Sequence, residues 1–271
     1  MPKQVQATSG SNMKLNNGVD NLKAGTNILD INVPKELERT VPTGVEWFDT
    51  SLGGEGFTPS SAMIFTGTPG AGKTTAMLQV ADAITGSGNL CLFNTGEESP
   101  LQVRKVVKRL ECKNGFYIGQ DTSVQKIIEH GKKIARQAKN KGKQLFVICD
   151  SLQTLDDGYY ANGHTNSMTQ VRATQMLTDF AKTKPFPIVI IIGQVTKGGE
   201  FAGKQQIKHT VDIHGHLYVD MAKKSETRGY RLFEVQKNRF GCTGITFILN
   251  MHKKGLVEVG TIDQFAQGDD E

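Results

Sequence analysis

Residues Gly67-Thr68-Pro69-Gly70-Ala71-Gly72-Lys73-Thr74 read G-x-x-x-x-G-K-T, a pattern suited to holding a chain of phosphates. Glycines at 67, 70 and 72 tolerate the unusual φ/ψ values that turn successive backbone N–H groups inward, and a helix starting at Lys73 adds the positive end of its dipole. Lys73 is then expected to reach the β- and γ-phosphates and the Thr74 hydroxyl to ligate Mg²⁺. The expected nucleotide-binding set is Gly67, Thr68, Pro69, Gly70, Ala71, Gly72, Lys73, Thr74 and Thr75. ATP with Mg²⁺ is the expected pair. A loop that touches only phosphates does not itself choose between ATP and GTP.

Three other runs end in groups able to act on a bound phosphate. Leu145-Phe146-Val147-Ile148-Cys149-Asp150 is an apolar strand closing on a carboxylate, the form in which an aspartate holds Mg²⁺ through water or through Thr74. Cys91-Leu92-Phe93-Asn94-Thr95-Gly96-Glu97-Glu98 closes on two acids at the strand end where ligands of open parallel sheets bind. Glu97 is the expected base for the attacking water, with Glu98 as helper or alternate. A bland role, favouring the dipole of the next helix, stays open for both. Ile188 to Gly193 is followed by Gln194, a neutral side chain that can donate to phosphate, accept from water and so sense hydrolysis.

Far along the chain, Lys237 and Arg239 are separated by one residue in Lys237-Asn238-Arg239-Phe240-Gly241 and so point to the same side of a strand. In a ring or filament they can supply the trans-acting charge of an arginine finger; alone, they are two solvated cations. Two segments have the composition of nucleic-acid contacts. Val195 to Asp212 carries Lys197, Lys204, Lys208 and His209 among Gly198, Gly199 and Gly203, and is expected to be a flexible cationic loop. Asp156 to Thr169 offers Tyr159, Tyr160 and His164 for stacking on unpaired bases. Composition alone leaves ordinary solvated loops equally open. Helix 123–143, with Lys126, Lys132, Lys133, Arg136, Lys139, Lys141 and Lys143, reads as a solvated face.

The elements that must position these groups follow from alternating short apolar strands and amphipathic helices, which predict α/β architecture with a mainly parallel sheet built from βαβ units. Strands are expected near 62–67, 90–95, 116–119, 145–150 and 188–194, and helices near 73–86, 99–110, 123–139 and 168–183. Ser99 and Ser123 suit N-caps, and Pro100 suits a first helical turn. Beyond Val195 the segments 215–221, 229–237 and 244–250 are short and joined by Gly-containing turns, which predicts antiparallel C-terminal strands. Residues 1–25 are too polar to offset ordering entropy and are expected to be disordered, 26–41 form a linker able to dock on its own domain or a neighbouring subunit, 42–260 form the domain, and 261–271 a polar, acidic tail.

The 271 residues allow one large α/β domain or two small ones, and a net charge of +5 permits nucleic-acid binding without requiring it. Cys91, Cys112, Cys149 and Cys242 are widely spaced, as expected of thiols in a reducing compartment. With no apolar run of membrane-spanning length and no secretion-signal pattern at the N-terminus, a cytosolic location is expected.

These residues, taken in order, resemble the RadA (Sms) family of bacterial RecA-like recombination ATPases over roughly residues 39–260. The lead-in Pro42-Thr43-Gly44-Val45-Glu46-Trp47-Phe48-Asp49, the glycine-rich loop, Gly96-Glu97-Glu98-Ser99, Asp150-Ser151-Leu152-Gln153-Thr154-Leu155 and Val195-Thr196-Lys197 all look like that family, and Lys237 to Gly241 reproduces its KNRFG signature. The resemblance implies a RecA-like fold that forms rings, a hexamer being expected, binds single-stranded DNA in a central channel, acts on branched DNA and works beside a recombinase. It also implies that Thr43 to Asp49 help frame the nucleotide, that Lys237 and Arg239 act across the subunit interface, and that Tyr159, Tyr160, Lys197, Lys204 and Lys208 face DNA. The chain resembles the motor alone, without the family's four-cysteine zinc module or Lon-like domain, and Gln194 stands where members carry His. A DnaB-like replicative or loading helicase and a KaiC-like regulatory ATPase with a protein partner are the alternative readings.

Overall fold

A computed structural model describes residues 25–160, 163–195 and 204–263. Its strands form one sheet, flanked on both faces by helices. In chain order the elements are α1 (Glu46–Ser51), β1 (Ala62–Gly67), α2 (Lys73–Gly86), β2 (Leu90–Thr95), α3 (Pro100–Arg109), β3 (Tyr117–Gly119), α4 (Val124–Asn140), β4 (Leu145–Asp150), α5 (Ser167–Ala181), β5 (Ile188–Gln194), α6 (Lys204–Thr210), β6 (Ile213–Val219), β7 (Arg231–Asn238), β8 (Ile245–His252) and β9 (Gly255–Asp263). The sheet order is β3-β2-β4-β5-β1-β6-β7-β8-β9. Pairing is parallel from β3 through β6 and antiparallel from β6 through β9. This bears out the expected α/β class.

The central strands are apolar without interruption because both of their faces are covered. Met63, Phe65, Cys91, Phe93, Phe146 and Ile148 point to the core shared with α1, α2 and α3, while their neighbours Ala62, Ile64, Leu92, Val147 and Cys149 point to the core shared with α4, α5 and α6. Phe233 of β7 is the hub of the first core. It lies 5.3–5.7 Å, centroid to centroid, from Trp47, Phe48 and Phe65, stacked on the last and edge-on to the first. Gly215 on β6 leaves room for this ring, since a Cβ there would overlap Met63 and press on Phe233.

Local signals set the helix starts. Ser99 and Gln102 form a reciprocal capping box with Pro100 in the first turn of α3. Asn166 caps α5 in the same way through Thr169. Two expectations are corrected. Residues 195–212 are not one loop, because 204–210 form α6, whose Ile207 is buried against the sheet together with Val211 beyond its end. The chain also continues into a ninth strand: β9 pairs with β8 over its length, whereas 261–271 read as tail. The expectations for residues 1–24, 264–271 and Lys197 lie outside the described residues. In 26–41, Ile28 and Leu29 are 74% and 88% exposed, and the segment joins the sheet domain through a bridge between Val41 and Phe57. Among the described residues no helix is long and apolar enough to cross a membrane.

Phe233→Ala should lower unfolding stability by about 3–5 kcal/mol, the usual cost of truncating a buried aromatic. Trp47, the sequence's single tryptophan, touches this ring, so its emission should shift with the change. Denaturant titration followed by Trp47 fluorescence checks both, and a loss below about 1 kcal/mol would mean that the cluster repacks freely.

Candidate nucleotide site and the surfaces coupled to it

Strand register brings the separate candidates together. Gly67 at the end of β1 lies opposite Gln194 at the end of β5, and Thr95 at the end of β2 lies opposite Asp150 at the end of β4. The glycine-rich loop, the acids and the glutamine therefore share one edge of the sheet. Gly70 and Gly72 adopt φ of 76° and 102°, the left-handed values the loop requires, and Gly72 passes directly into the first turn of α2. A Cβ on Gly67 would collide with the carbonyl of Leu217 on the adjacent strand. Pro69 and Gly70 are open to solvent, Thr68, Thr74 and Thr75 are half-buried, and Ala71 is buried.

The loop is shaped for an anion. Lys73 is buried, and its ammonium donates to the carbonyls of Gly67, 2.9 Å, and Thr68, 3.0 Å. Burial holds its pKa below the ordinary lysine value, against the opposing pull of Asp150 and Glu97. Thr74 donates to Asp150 Oδ2 at 2.7 Å, so the two expected Mg²⁺ ligands already touch. Burial pushes the Asp150 carboxyl up to about 6; Glu97 and Glu98 add to the shift, while the Thr74 hydrogen bond and Lys73 oppose it. A buried carboxylate in contact with a hydroxyl offers the oxygen donors that a hard divalent cation takes, a nucleotide's phosphates supplying others. The residues therefore fit Mg²⁺ and a nucleotide's phosphates, with Thr74 and Asp150 placed to hold the ion.

Glu97 is exposed and held from two sides. Ser151 donates to Oε1 in a short hydrogen bond, and the Gln194 amide donates to Oε1 and Oε2 at 3.0 and 3.2 Å. Gln153 in turn donates to the Gln194 carbonyl at 3.1 Å. The loop carrying Glu97 sits tightly on the 3-10 turn Leu152–Thr154, since a Cβ on Gly96 would overlap the Thr154 hydroxyl. Glu98 is anchored through its backbone, which exchanges hydrogen bonds with the Thr95 hydroxyl. Ser151 and Gln153 escaped the sequence reading. Their signal was adjacency to Asp150, the residue that fixes that strand end.

Lys237 and Arg239 do lie together, but at the opposite edge. Gly67 is level with Leu217 of β6, whereas Asn238 is level with Ile213, four residues or about 13 Å back along the same strand. Lys237 donates to the carbonyls of Lys208 at 2.7 Å and Val211 at 2.6 Å, capping the C-terminal end of α6. Burial and the neighbouring Arg239 lower its pKa. Arg239 donates to Asp212 Oδ1 at 3.1 Å, and the other oxygen of Asp212 accepts from the Ala62 N–H at the start of β1. Asp212 was not anticipated; nothing in its local sequence marks it.

The lead-in turn is likewise distant. Asp49 accepts from the Thr43 N–H and hydroxyl and from the Gly44 N–H, and Gly44 packs against Ala83 and Ser87 at the far end of α2. Helix rise puts that about 20 Å from Lys73. Thr43 to Asp49 thus do not frame a nucleotide on their own glycine-rich loop, which corrects that implication of the resemblance.

Of the expected DNA contacts, Tyr159 and Tyr160 meet edge to face at 5.0 Å, and the Arg172 guanidinium lies 4.4 Å from the Tyr159 centroid while pairing with Asp157. Tyr159 remains 68% exposed. Lys204 opens α6, and Lys208 lies on that helix, its ammonium 3.4 Å from Gln236 of β7.

Comparison with known proteins gives a consistent outcome. A family model described as the KaiC ATPase matches residues 41–257. The DNA repair protein RadA of Aquifex aeolicus is 34% identical over 227 residues, 83% of this chain and 47% of that protein. RadA of Bacillus subtilis is 36% identical over 224 residues, 82% of this chain and 45% of that protein. The chain thus spans about half the length of these curated relatives. Among solved structures, an isolated ATPase domain superposes with a TM-score of 0.67 at 18% identity, covering 82% of this chain and 92% of that one. A DnaB-like replicative helicase gives 0.65 at 19%, covering 82% and 62%. Both establish the fold alone.

Asp150→Asn, studied with chelator and without nucleotide, should raise stability near pH 7.5 by about 1–3 kcal/mol, since each unit of pKa shift is worth about 1.4 kcal/mol. The fold raises this pKa from 3.8 to about 6, so the penalty is complete above 6 and disappears toward 3.8. The difference between variant and wild type should therefore narrow as pH falls through that window. Paired denaturant titrations at two pH values check it; a wild type at least as stable as the variant at the higher pH would refute the buried-carboxylate cost.

Proposed function

This chain belongs to the KaiC family of ATPases, and on that footing we propose that it works as a RadA-type motor of RecA-like fold, hydrolysing ATP with Mg²⁺ at the interfaces of a homo-oligomeric ring to act on single-stranded or branched DNA. The observation that carries the reading is the separation of Lys237 and Arg239 from their own glycine-rich loop. Cations at the far edge of the sheet cannot serve that loop, so any part they take at a nucleotide is taken at another copy's. They also grip the end of α6, the helix that follows the candidate DNA loop.

Within one site the assignments divide by reach. The backbone N–H groups of the loop from Gly70 to Thr75 and the Lys73 ammonium bind the phosphates; Lys73 exchanges its loop carbonyls for phosphate oxygens. Mg²⁺ held by Thr74 and Asp150 would neutralise charge building on the β- and γ-phosphates. Glu97 takes a proton from the attacking water, aimed by Ser151, and Glu98 adds negative potential beside it. Gln194 is shared: the hydrogen bonds it donates to Glu97 can be traded for the γ-phosphate, which ties the base to the strand leading toward the DNA loop. Similarity to proteins named DNA repair protein RadA supports a repair role, and branch migration beside a recombinase is the finer part of the proposal.

Steady-state ATP hydrolysis with and without oligo(dT), blanked with Lys73→Ala, tests the reading. DNA should stimulate hydrolysis, and Lys73→Ala should reduce it by about 10²–10³, the scale of losing one charge-stabilising donor. Hydrolysis indifferent to DNA would favour the regulatory ATPase with a protein partner, and vigorous unwinding of a fork without a recombinase would favour the helicase. Lys237→Ala and Arg239→Ala should each be inactive alone and should suppress wild-type subunits beyond their stoichiometric share in mixtures. A strictly proportional loss would remove the trans-acting role.

A further inference from the structure

At the edge of the sheet opposite the glycine-rich loop, a concavity of about 410 Å³ is lined by Lys35 and Arg39 from the N-terminal segment, Lys139 at the end of α4, and Lys143 just before β4, with Glu36 as its one acid. Four cations from two segments distant in sequence meet there. None of them pairs with a carboxylate among the described residues. Four cations beside one acid leave this surface net positive, which favours a polyanion. Beyond the concavity, exposed cations continue along α4. Lys132, Arg136 and Lys139 recur at helical spacing on one flank of α4, all exposed, on a helix whose only acid is Glu129, while Val124, Ile127, Ala135 and Ala138 face the core. From Lys132 to Lys139 the flank rises about 10 Å, the axial span of roughly three phosphates on one strand of a duplex.

We propose that this groove and the flank of α4 form a second nucleic-acid site, which receives the sugar-phosphate backbone of double-stranded DNA, separate from the single-strand loops that follow β4 and β5. The motor reading supplies the identity of the polyanion. The geometry supplies the rest: a shallow, mainly cationic track with no stacking aromatic among its lining residues contacts phosphates and reads no base. On a branched substrate the duplex arm would lie against the β4–β5 end of this edge, beside the β6–β7 end that carries Lys237 and Arg239, while the unpaired strand engages the opposite edge, so one subunit holds both parts of a junction. The sequence alone gives only a lysine-rich helix; Lys35 and Arg39 join it solely through folding.

The test measures anisotropy of a labelled blunt duplex of about 30 base pairs, long enough to exceed the roughly three-phosphate track, and of labelled oligo(dT) across a salt series, with the full chain, ATP analogue and Mg²⁺. Lys139→Glu/Lys143→Glu should weaken duplex binding at least about tenfold and flatten its salt dependence by about two, near 0.9 for each phosphate no longer neutralised. Oligo(dT) binding and its stimulation of hydrolysis should stay within about twofold of wild type. Lys223→Glu/Lys224→Glu makes the same charge change at exposed positions elsewhere and should leave duplex binding intact. Duplex affinity and slope unchanged in the groove variant would overturn the proposal. So would an equal loss in the control variant, or an equal loss on oligo(dT), since either would mean diffuse attraction. Lys139→Gln/Lys143→Gln repeats the measurement without reversing charge should the first variant fold poorly. Hydrolysis indifferent to oligo(dT) in the wild type would sink the motor reading while leaving the groove's duplex affinity to be judged on its own curve.

Discussion

The hydrogen-bonded register of β2, β4, β5 and β1 is the constraint on which every part of the site depends. Thr95 with Asp150, and Gly67 with Gln194, end level because these four strands run parallel and are locked in step. A shift of one residue in any of them would turn its buried side chains to the wrong face, because side chains alternate with a period of two. Two separate cores oppose such a slip, one against α1 to α3 and one against α4 to α6. The polar edge is precise because the apolar interior is.

At that edge the protein holds charges at a cost. Asp150 is buried near two other acids and Lys73 is buried among carbonyls, so the pKa values of both are displaced in the direction that disfavours charge. Such an arrangement is relieved by a ligand that brings a cation and a polyphosphate together, and the binding preference is built from this imbalance. Glu97 differs: it is exposed and held by donors, Ser151 and Gln194, so its orientation rather than its burial is what the fold specifies. One residue, Gln194, then both holds Glu97 and ends the strand that precedes α6.

The opposite edge is organised by Asp212, which ties the start of β1 to Arg239, and by Lys237, which closes the end of α6. The protein carries the nucleotide candidates at one edge of its sheet and Lys237 with Arg239 at the other, where Lys237 holds the end of α6. Its sheet is long enough to keep the two from meeting within one copy.

The parallel strands, their helices and the glycine-rich loop were legible in the sequence because each is a local pattern: apolar runs of strand length, a serine before a helix, glycines where positive φ is needed. Asp150 and Gln194 end such runs, Glu97 follows one closely, and Lys73 and Thr74 open the helix after the glycine-rich loop, so all were visible as candidates locally. The amphipathic turn 204–210 was hidden by lysines and flanking glycines that mimic a loop, and burial of Ile207, a long-range event, decides it. Gly255 to Asp263 carries β-branched Val257, Val259, Thr261 and Ile262, yet its two glycines and acids blur the pattern, and pairing with β8 is what makes it a strand. The sequence by itself determined the chemistry available and the strand end carrying each group. Only the tertiary structure decided which groups meet: Ser151 and Gln194 on Glu97, Lys237 on α6, and Thr43 to Asp49 away from the phosphates, because such contacts join segments far apart in the chain and exist only once both faces of the sheet have closed.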